Sequence, residues 1–211
     1  MFPLLLCPES EELSLEAHSG YNVSDAFISS INSSIGLKSP IQVESYFYYI
    51  YGILHSPGYR VRYAEYLKND FPRIPLPNDK GLFSKLMKLG EELVDVALLE
   101  SSNGLALEII TINKTQFIEK PVWENGTVWI DKAKTVGFRG VSEVVWNFHV
   151  GGYQVCEKWL KDRKGRKLTK DDIEHYQKIV GALSETIRLM AEIDKVIDEH
   201  GGWPGAFQSA K

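Results

Sequence analysis

Cysteine is scarce: Cys7 and Cys156 are the only two thiols in 211 residues, too few for a disulfide framework. A reducing compartment is therefore expected. Long apolar runs are missing as well, and none approaches the roughly 20 residues a membrane span needs. The opening Met1-Phe2-Pro3-Leu4-Leu5-Leu6-Cys7-Pro8 has no basic start, and Glu9, Glu11 and Glu12 follow at once, so it does not read as a secretory signal. A cytoplasmic protein without a membrane partner is the expectation. The Asn-x-Ser/Thr triplets at Asn22, Asn32, Asn113 and Asn125 are then chance matches.

Motifs of chemistry are missing too. No G-x-x-x-x-G-K-S/T loop is present for a nucleotide triphosphate. No G-x-G-x-x-G turn suits a dinucleotide or S-adenosylmethionine, and no G-x-S-x-G elbow occurs. The Asn-Pro-Pro-aromatic tetrapeptide of amino-methyltransferases does not appear either. There is no C-x-x-C, and His18, His55, His149, His175 and His200 lack ligand spacing. No catalytic residue, metal ligand or cofactor is therefore expected. The acidic pairs Asp171-Asp172 and Glu91-Glu92 suit a helix start and a solvated helix face. His149 and His175 suit hydrogen-bonding roles, and Cys156 suits a small core position.

What is present is a folding chain, 44% hydrophobic and 25% charged, with a formal charge of −4. Residues 1–40 read as an irregular segment and 41–211 as one domain, with a single domain 1–211 as the alternative. In 41–56, Val43, Phe47, Ile50 and Leu54 recur at helical spacing. Ser56-Pro57-Gly58 breaks that helix, and a second runs from Tyr59 to about Asn69. Three prolines in residues 71–77 make an extended connector. A strongly amphipathic helix follows from Gly81 to about Glu100, ended by Ser101-Ser102-Asn103-Gly104.

The period then falls to two. Leu105–Ile112, Gln116–Glu124, Thr127–Asp131 and Thr135–Phe138 read as strands, with Asn125-Gly126 as a hairpin turn. Helix returns over Val141–Leu160, interrupted at Gly151-Gly152. A long helix capped by Thr169 runs to His200, where Gly201-Gly202 and Pro204 stop it. Helices, then strands, then helices indicate an α+β fold: a helical N-terminal half, a small antiparallel sheet at about 105–138 and a long C-terminal helix.

Charge is unevenly spread. Lys158, Lys161, Arg163, Lys164, Arg166, Lys167 and Lys170 face one acid, Asp162, within 13 positions, a local +6. The next 29 residues, 171–199, carry eight acids and three bases. Such segregation suggests a phosphate-facing side, nucleic acid above all. The plainer alternative is a solvated turn centred on Gly165. A second cluster, Arg60, Arg62, Lys68 and Arg73, interleaves with Tyr59, Tyr63 and Tyr66. Its plainer reading is packed tyrosines with arginines that cap helices or pair with Glu65 and Asp70.

Three stretches carry a resemblance. They are Tyr49–Pro75 (YIYGILHSPGYRVRYAEYLKNDFPRIP), Trp146–Arg166 (WNFHVGGYQVCEKWLKDRKGR) and Asp171–Tyr176 (DDIEHY) continuing to Ile187. In order and aromatic content the chain resembles, from about Phe2 to Phe207, the C-terminal specificity region of type ISP restriction-modification enzymes. Those enzymes join a nuclease, a helicase-like ATPase, an adenine-N6 methyltransferase and a target-recognition domain. The chain looks like the last part alone, so catalysis is not carried over. It is expected to be an excised domain, a truncated gene product or a separately encoded specificity subunit.

The resemblance implies sequence-specific recognition of duplex DNA, with methyltransferase and helicase-nuclease modules as partners in cis or in trans. The backbone candidates are then Lys158, Lys161, Arg163, Lys164, Arg166, Lys167, Arg60, Arg62 and Arg73. Residues shared by proteins that read different sequences suit holding the fold or the DNA backbone better than reading bases. The base-reading candidates therefore come from 101–140: Asn103, Asn113, Lys114, Gln116, Lys132, Lys134 and Arg139. The alternative is a protein-interaction module or remnant that docks such a partner through helix 43–54 or the stripe 82–97.

Overall fold

The computed structural model describes residues 5–6, 20–38, 41–99, 108–111 and 117–208. In chain order the elements are β1 (Leu5–Leu6), β2 (Gly20–Tyr21), α1 (Asp25–Ile35), α2 (Val43–His55), α3 (Pro57–Arg62), α4 (Ala64–Asn69) and α5 (Lys80–Ala97). Then come β3 (Glu108–Thr111), β4 (Val122–Glu124), β5 (Thr127–Trp129), β6 (Val136–Arg139), α6 (Glu143–Trp146), β7 (His149–Val150) and β8 (Tyr153–Gln154). The chain closes with α7 (Val155–Lys161), α8 (Lys170–Glu199) and α9 (Gly202–Gly205). This is a mixed α+β fold with N-terminal helices, a four-stranded antiparallel sheet and a long C-terminal helix. Two compact units divide it: Met1–Val94 with Leu189–Lys211, and Asp95–Arg188.

The first unit is helical. Its α1 lies where the sequence reads as irregular. Ser and Asn are poor helix formers, but Ser24 caps the start, accepting from the Phe27 N–H at 3.3 Å, and Ile31 and Ile35 are buried one turn apart. Packing and capping here override propensity. Helix α2 buries Tyr46, Tyr49 and Ile53, a face one residue off the expected Val43-Phe47-Ile50-Leu54 stripe. The tyrosines can go inside because their hydroxyls find acceptors: Tyr46 donates to Asn32 Oδ1 at 2.7 Å and Tyr49 to the Pro75 carbonyl at 2.8 Å. Helices α2 and α5 touch backbone to backbone. A Cβ on Gly90 would sit 1.9 Å from the Tyr48 carbonyl oxygen, and one on Gly52 would sit 2.9 Å from that of Leu86. Only glycine fits the first position.

The second unit is built on the sheet, in the order β3-β6-β5-β4. Asn125 and Gly126 both have positive φ (47° and 77°) and join β4 to β5 in the expected hairpin, with Glu124 opposite Thr127. Val128 and Phe138, opposite one another, turn to a core that includes Ile118, Trp146, Cys156, Leu160 and Tyr176. Where the sequence suggests one interrupted helix over 141–160, two short helices flank a hairpin, β7-β8. Gly151 (φ 57°) and Gly152 (φ 85°) supply the paired left-handed residues of a tight turn, so the chain reverses instead of pausing.

The strand expected over Leu105–Ile112 is described only as β3, and that expected over Gln116–Glu124 begins at Val122. Residues 100–107 and 112–116 lie outside the described residues, as do the helix stop at 101–104 and the N-terminal Met1–Leu4 and Cys7–Ser19. Thr169 caps α8 as expected: its Oγ1 accepts from the Asp172 N–H at 3.1 Å, and Asp172 accepts from the Thr169 N–H at 3.0 Å. Among the described residues no helix is long and apolar enough to cross a membrane.

Candidate functional site

The basic run 158–170 spans α7, a turn and the first residue of α8, and its cations fall into two groups. Lys158 pairs with Asp162, Lys161 with Glu157 at 2.7 Å and Lys170 with Glu174 at 3.5 Å, each one helical turn apart. Arg163 is held more firmly. Its guanidinium lies 3.7 Å from the centroid of the Trp159 ring, donates to the Trp159 carbonyl at 3.2 Å and pairs with Asp172 at 3.4 Å. Hydrogen bonds from the backbone and hydroxyl of Thr169, then Arg163, hold the Asp172 carboxyl below the usual carboxylate range. These four side chains fasten the turn to the start of α8.

Lys164, Arg166 and Lys167 form the second group. All three are exposed, and none has a carboxylate partner among the described residues. Gly165, with φ 77°, turns the chain between them. Ile118, buried in the core, grips this turn through its backbone: the Gly165 N–H donates to the Ile118 carbonyl at 2.8 Å, and the Ile118 N–H donates to Arg166 at 3.2 Å. Phe117 pairs with Lys167 in an antiparallel bridge. Leu168, also buried, anchors the far end.

The arginines of the first unit differ in how they are held. Arg60 donates from Nε to the Leu54 carbonyl at 2.7 Å, capping the end of α2, and burial lowers its pKa. Arg73 pairs with Asp70 at 3.5 Å, while Arg62 lies 5.9 Å from the Tyr63 ring centroid. Ser56 caps α3, accepting from the Tyr59 N–H at 2.9 Å. The Ser56 hydroxyl in turn donates to Asp194, which also accepts from the Gly58 N–H at 2.8 Å. Tyr59 donates to the Arg73 carbonyl at 2.8 Å. The SPGYR stretch is thereby a joint, tied to α8 on one side and to the proline-rich connector on the other. Beside it lies a cavity of about 700 Å³ lined by Tyr59, Tyr63, Tyr66, Phe71, Trp203 and Phe207 among others.

Of the base-reading candidates, Arg139 pairs with Glu108 across β6 and β3 at 3.1 Å, and Lys134 pairs with Glu124. Lys132 is exposed with no carboxylate partner among the described residues, and its N–H donates to Glu119 at 3.0 Å. Asn103, Asn113, Lys114 and Gln116 lie outside the described residues. His149 is exposed and 2.6 Å from the Asn147 carbonyl, and His175 is exposed beside Trp159. Cys156 is buried, which pushes its thiol up to about 11. Among the described residues no three His, Cys, Asp or Glu side chains gather as a metal site would require. Lys120, which the sequence reading does not single out, is exposed two positions after Ile118, whose backbone pairs with Gly165 and Arg166; nothing local marks that placement, since it is set by pairing across the chain.

Comparison with known proteins adds the family. The sequence pattern described as "Type ISP C-terminal specificity domain" matches residues 1–192. No curated protein matches. Among solved structures, a cryo-electron-microscopy structure of a DrdV–DNA complex is 21% identical with a TM-score of 0.65, over 83% of this chain and 20% of that one. The type ISP restriction-modification enzyme LlaBIII bound to DNA is 18% identical with a TM-score of 0.60, over 93% and 13%. A nuclease-deletion mutant of the type ISP enzyme LlaGI with a DNA substrate mimic is 23% identical with a TM-score of 0.50, over 77% and 14%. At these identities the likeness concerns the fold, and this chain spans a fifth or less of each of those chains.

Proposed function

The chain belongs to the type ISP C-terminal specificity domain family, and on that premise we propose that it recognises a short sequence in duplex DNA for catalytic modules outside it. The observation that carries this reading is the turn at Lys164, Arg166 and Lys167. Three cations without carboxylate partners among the described residues stand on a backbone hydrogen-bonded to Ile118, in a molecule whose net charge is negative. Such an arrangement suits phosphates, which position a protein on the duplex, while base edges are read by neighbouring side chains. Lys132, the one described base-reading candidate free of a carboxylate, extends that surface.

In this reading the domain performs no chemistry. An adenine-N6 methyltransferase and a helicase-nuclease, joined to it or separate, act on the DNA it selects in the cytoplasm. The target adenine would be flipped into a pocket belonging to the methyltransferase. Residues 41–211 form the recognising part.

Selection from a randomised duplex library, at low and moderate salt, tests the proposal. Enrichment of one short motif that resists salt is the expected result. Unselective binding that collapses with salt would refute sequence reading by this chain. A second reading, docking of a protein module, is favoured by exposed Tyr66 and Phe71, which line the aromatic cavity of the first unit. It predicts capture of a methyltransferase module with no DNA binding.

A further inference from the structure

In the second unit, three segments far apart in sequence are stitched side by side. Residues 117–120 form the seam. On one side the Ile118 backbone exchanges hydrogen bonds with Gly165 and Arg166 at 2.8 and 3.2 Å. On the other, the Glu119 and Lys120 N–H groups share the Ile130 carbonyl at 2.8 and 3.2 Å, and the Lys132 N–H donates to the Glu119 carboxylate at 3.0 Å. Adjacent segments in such pairing lie about 4.8 Å apart. The three segments thus bring five cations to neighbouring backbone positions: Lys120, Lys132, Lys164, Arg166 and Lys167. All are exposed, and none has a carboxylate partner among the described residues.

The acids on this edge are occupied. Glu119 accepts from Lys132, and Asp131 accepts from the Thr135 N–H at 2.9 Å and hydroxyl at 2.7 Å and from the Val136 N–H at 2.9 Å. Burial opposes the ionised form of Asp131, but those hydrogen bonds outweigh it and its pKa is lowered.

We propose that this composite edge is the phosphate track of the domain, in which Lys120 and Lys132 hold the DNA backbone together with the 164–167 turn, and that Lys158 and Lys161 do not. The inference rests on the DNA-recognition reading above and moves its backbone contacts off α7. Lys158 and Lys161 already neutralise Asp162 and Glu157, so a phosphate would have to displace a carboxylate one turn away. The five edge cations form no ion pair among the described residues that a phosphate would have to displace, and each contact releases counterions.

The test is duplex binding by the 211-residue chain from about 0.05 to 0.2 M salt, with inorganic salt as the only variable. The Lys120→Gln/Lys132→Gln variant is compared with Lys158→Gln/Lys161→Gln. Both carry the same change in net charge, and their thermal midpoints check the fold. The first pair is expected to flatten the slope of log affinity against log salt by about 1.8, losing roughly 10- to 100-fold in affinity near 0.1 M salt. The second is expected to change the slope by less than about half that. Equal slopes for the two variants, or no change with the first, would overturn the track while leaving DNA recognition standing. Failure of the unmodified chain to bind any duplex would instead overturn the recognition reading beneath it.

Discussion

Arg60 in the first unit gives its Nε to the Leu54 carbonyl and Arg73 pairs with Asp70, whereas Lys164, Arg166 and Lys167 in the second unit have no carboxylate partner among the described residues. Both stretches are basic, and in sequence both offer cations for phosphate. They differ in what the backbone needs nearby. Around Arg60 the chain turns sharply between two helices, leaving carbonyls that a guanidinium can cap. Around Gly165 the backbone pairs with itself: the Arg166 carbonyl accepts from the Ile118 N–H, the Gly165 N–H donates to the Ile118 carbonyl and the Arg163 carbonyl accepts from the Arg166 N–H, so the side chains are left over for solvent or a ligand. The same contrast appears inside the run 158–170: Arg163 is stacked on Trp159 and paired with Asp172, while its neighbour Lys164 has no carboxylate partner among the described residues. Charge along a sequence thus overstates the charge available for binding.

The contrast can be broken most forcefully at the turn. Lys164, Arg166 and Lys167 changed together to Gln should flatten the salt slope of duplex binding by about 2.7 and weaken binding roughly 500-fold near 0.1 M salt, about 3.7 kcal/mol. Thermal unfolding should stay put, because the side chains are exposed. The opposite signature is expected at the joint of the first unit. Asp194→Ala strands the Ser56 hydroxyl and the Gly58 N–H and should cost about 2–3 kcal/mol of stability by denaturant titration, with the salt slope unchanged.

Arg163→Gln sharpens the comparison within one run. Loss of the ring contact and of a partly buried ion pair should cost about 1–2 kcal/mol of stability while the slope falls by less than one. A slope loss equal to that of Lys164→Gln would move Arg163 to the binding group. The smallest effect is in acid. Asp172 has its pKa lowered in the fold by Thr169 and Arg163, so the folded state binds its proton less readily than the unfolded chain. Its contribution is complete well above the unfolded value near 3.9 and is lost as pH falls through the folded value. Asp172→Asn should therefore flatten the decline of the unfolding midpoint between about pH 5 and 2.

Much of the fold can be read along the chain, because its signals are local. Asn125-Gly126 needs only its own backbone conformation to make a hairpin, and Thr169 needs only Asp172 to open α8. The face of α2 is not local. Whether a tyrosine goes inside depends on an acceptor for its hydroxyl, and Asn32 and Pro75 are brought there by other segments. Helix α1 is likewise held by the burial of Ile31 and Ile35, not by propensity. At the candidate site the same division holds. The pairs Lys158–Asp162, Lys161–Glu157 and Lys170–Glu174 follow from helical spacing and are legible once the helices are known. Lys120 is not legible, since what places it near Arg166 is a hydrogen bond spanning 48 positions, from Ile118 to Arg166.

The most direct test of sequence-specific recognition is selection from a randomised duplex library on the unmodified chain and on the Lys164→Gln/Arg166→Gln/Lys167→Gln variant side by side. If the turn holds the backbone while other residues read bases, both proteins should enrich the same short motif, the variant with far lower recovery and a shallower salt response. Absence of any motif with the unmodified chain would contradict recognition by this domain, and a different motif with the variant would contradict the division between holding and reading.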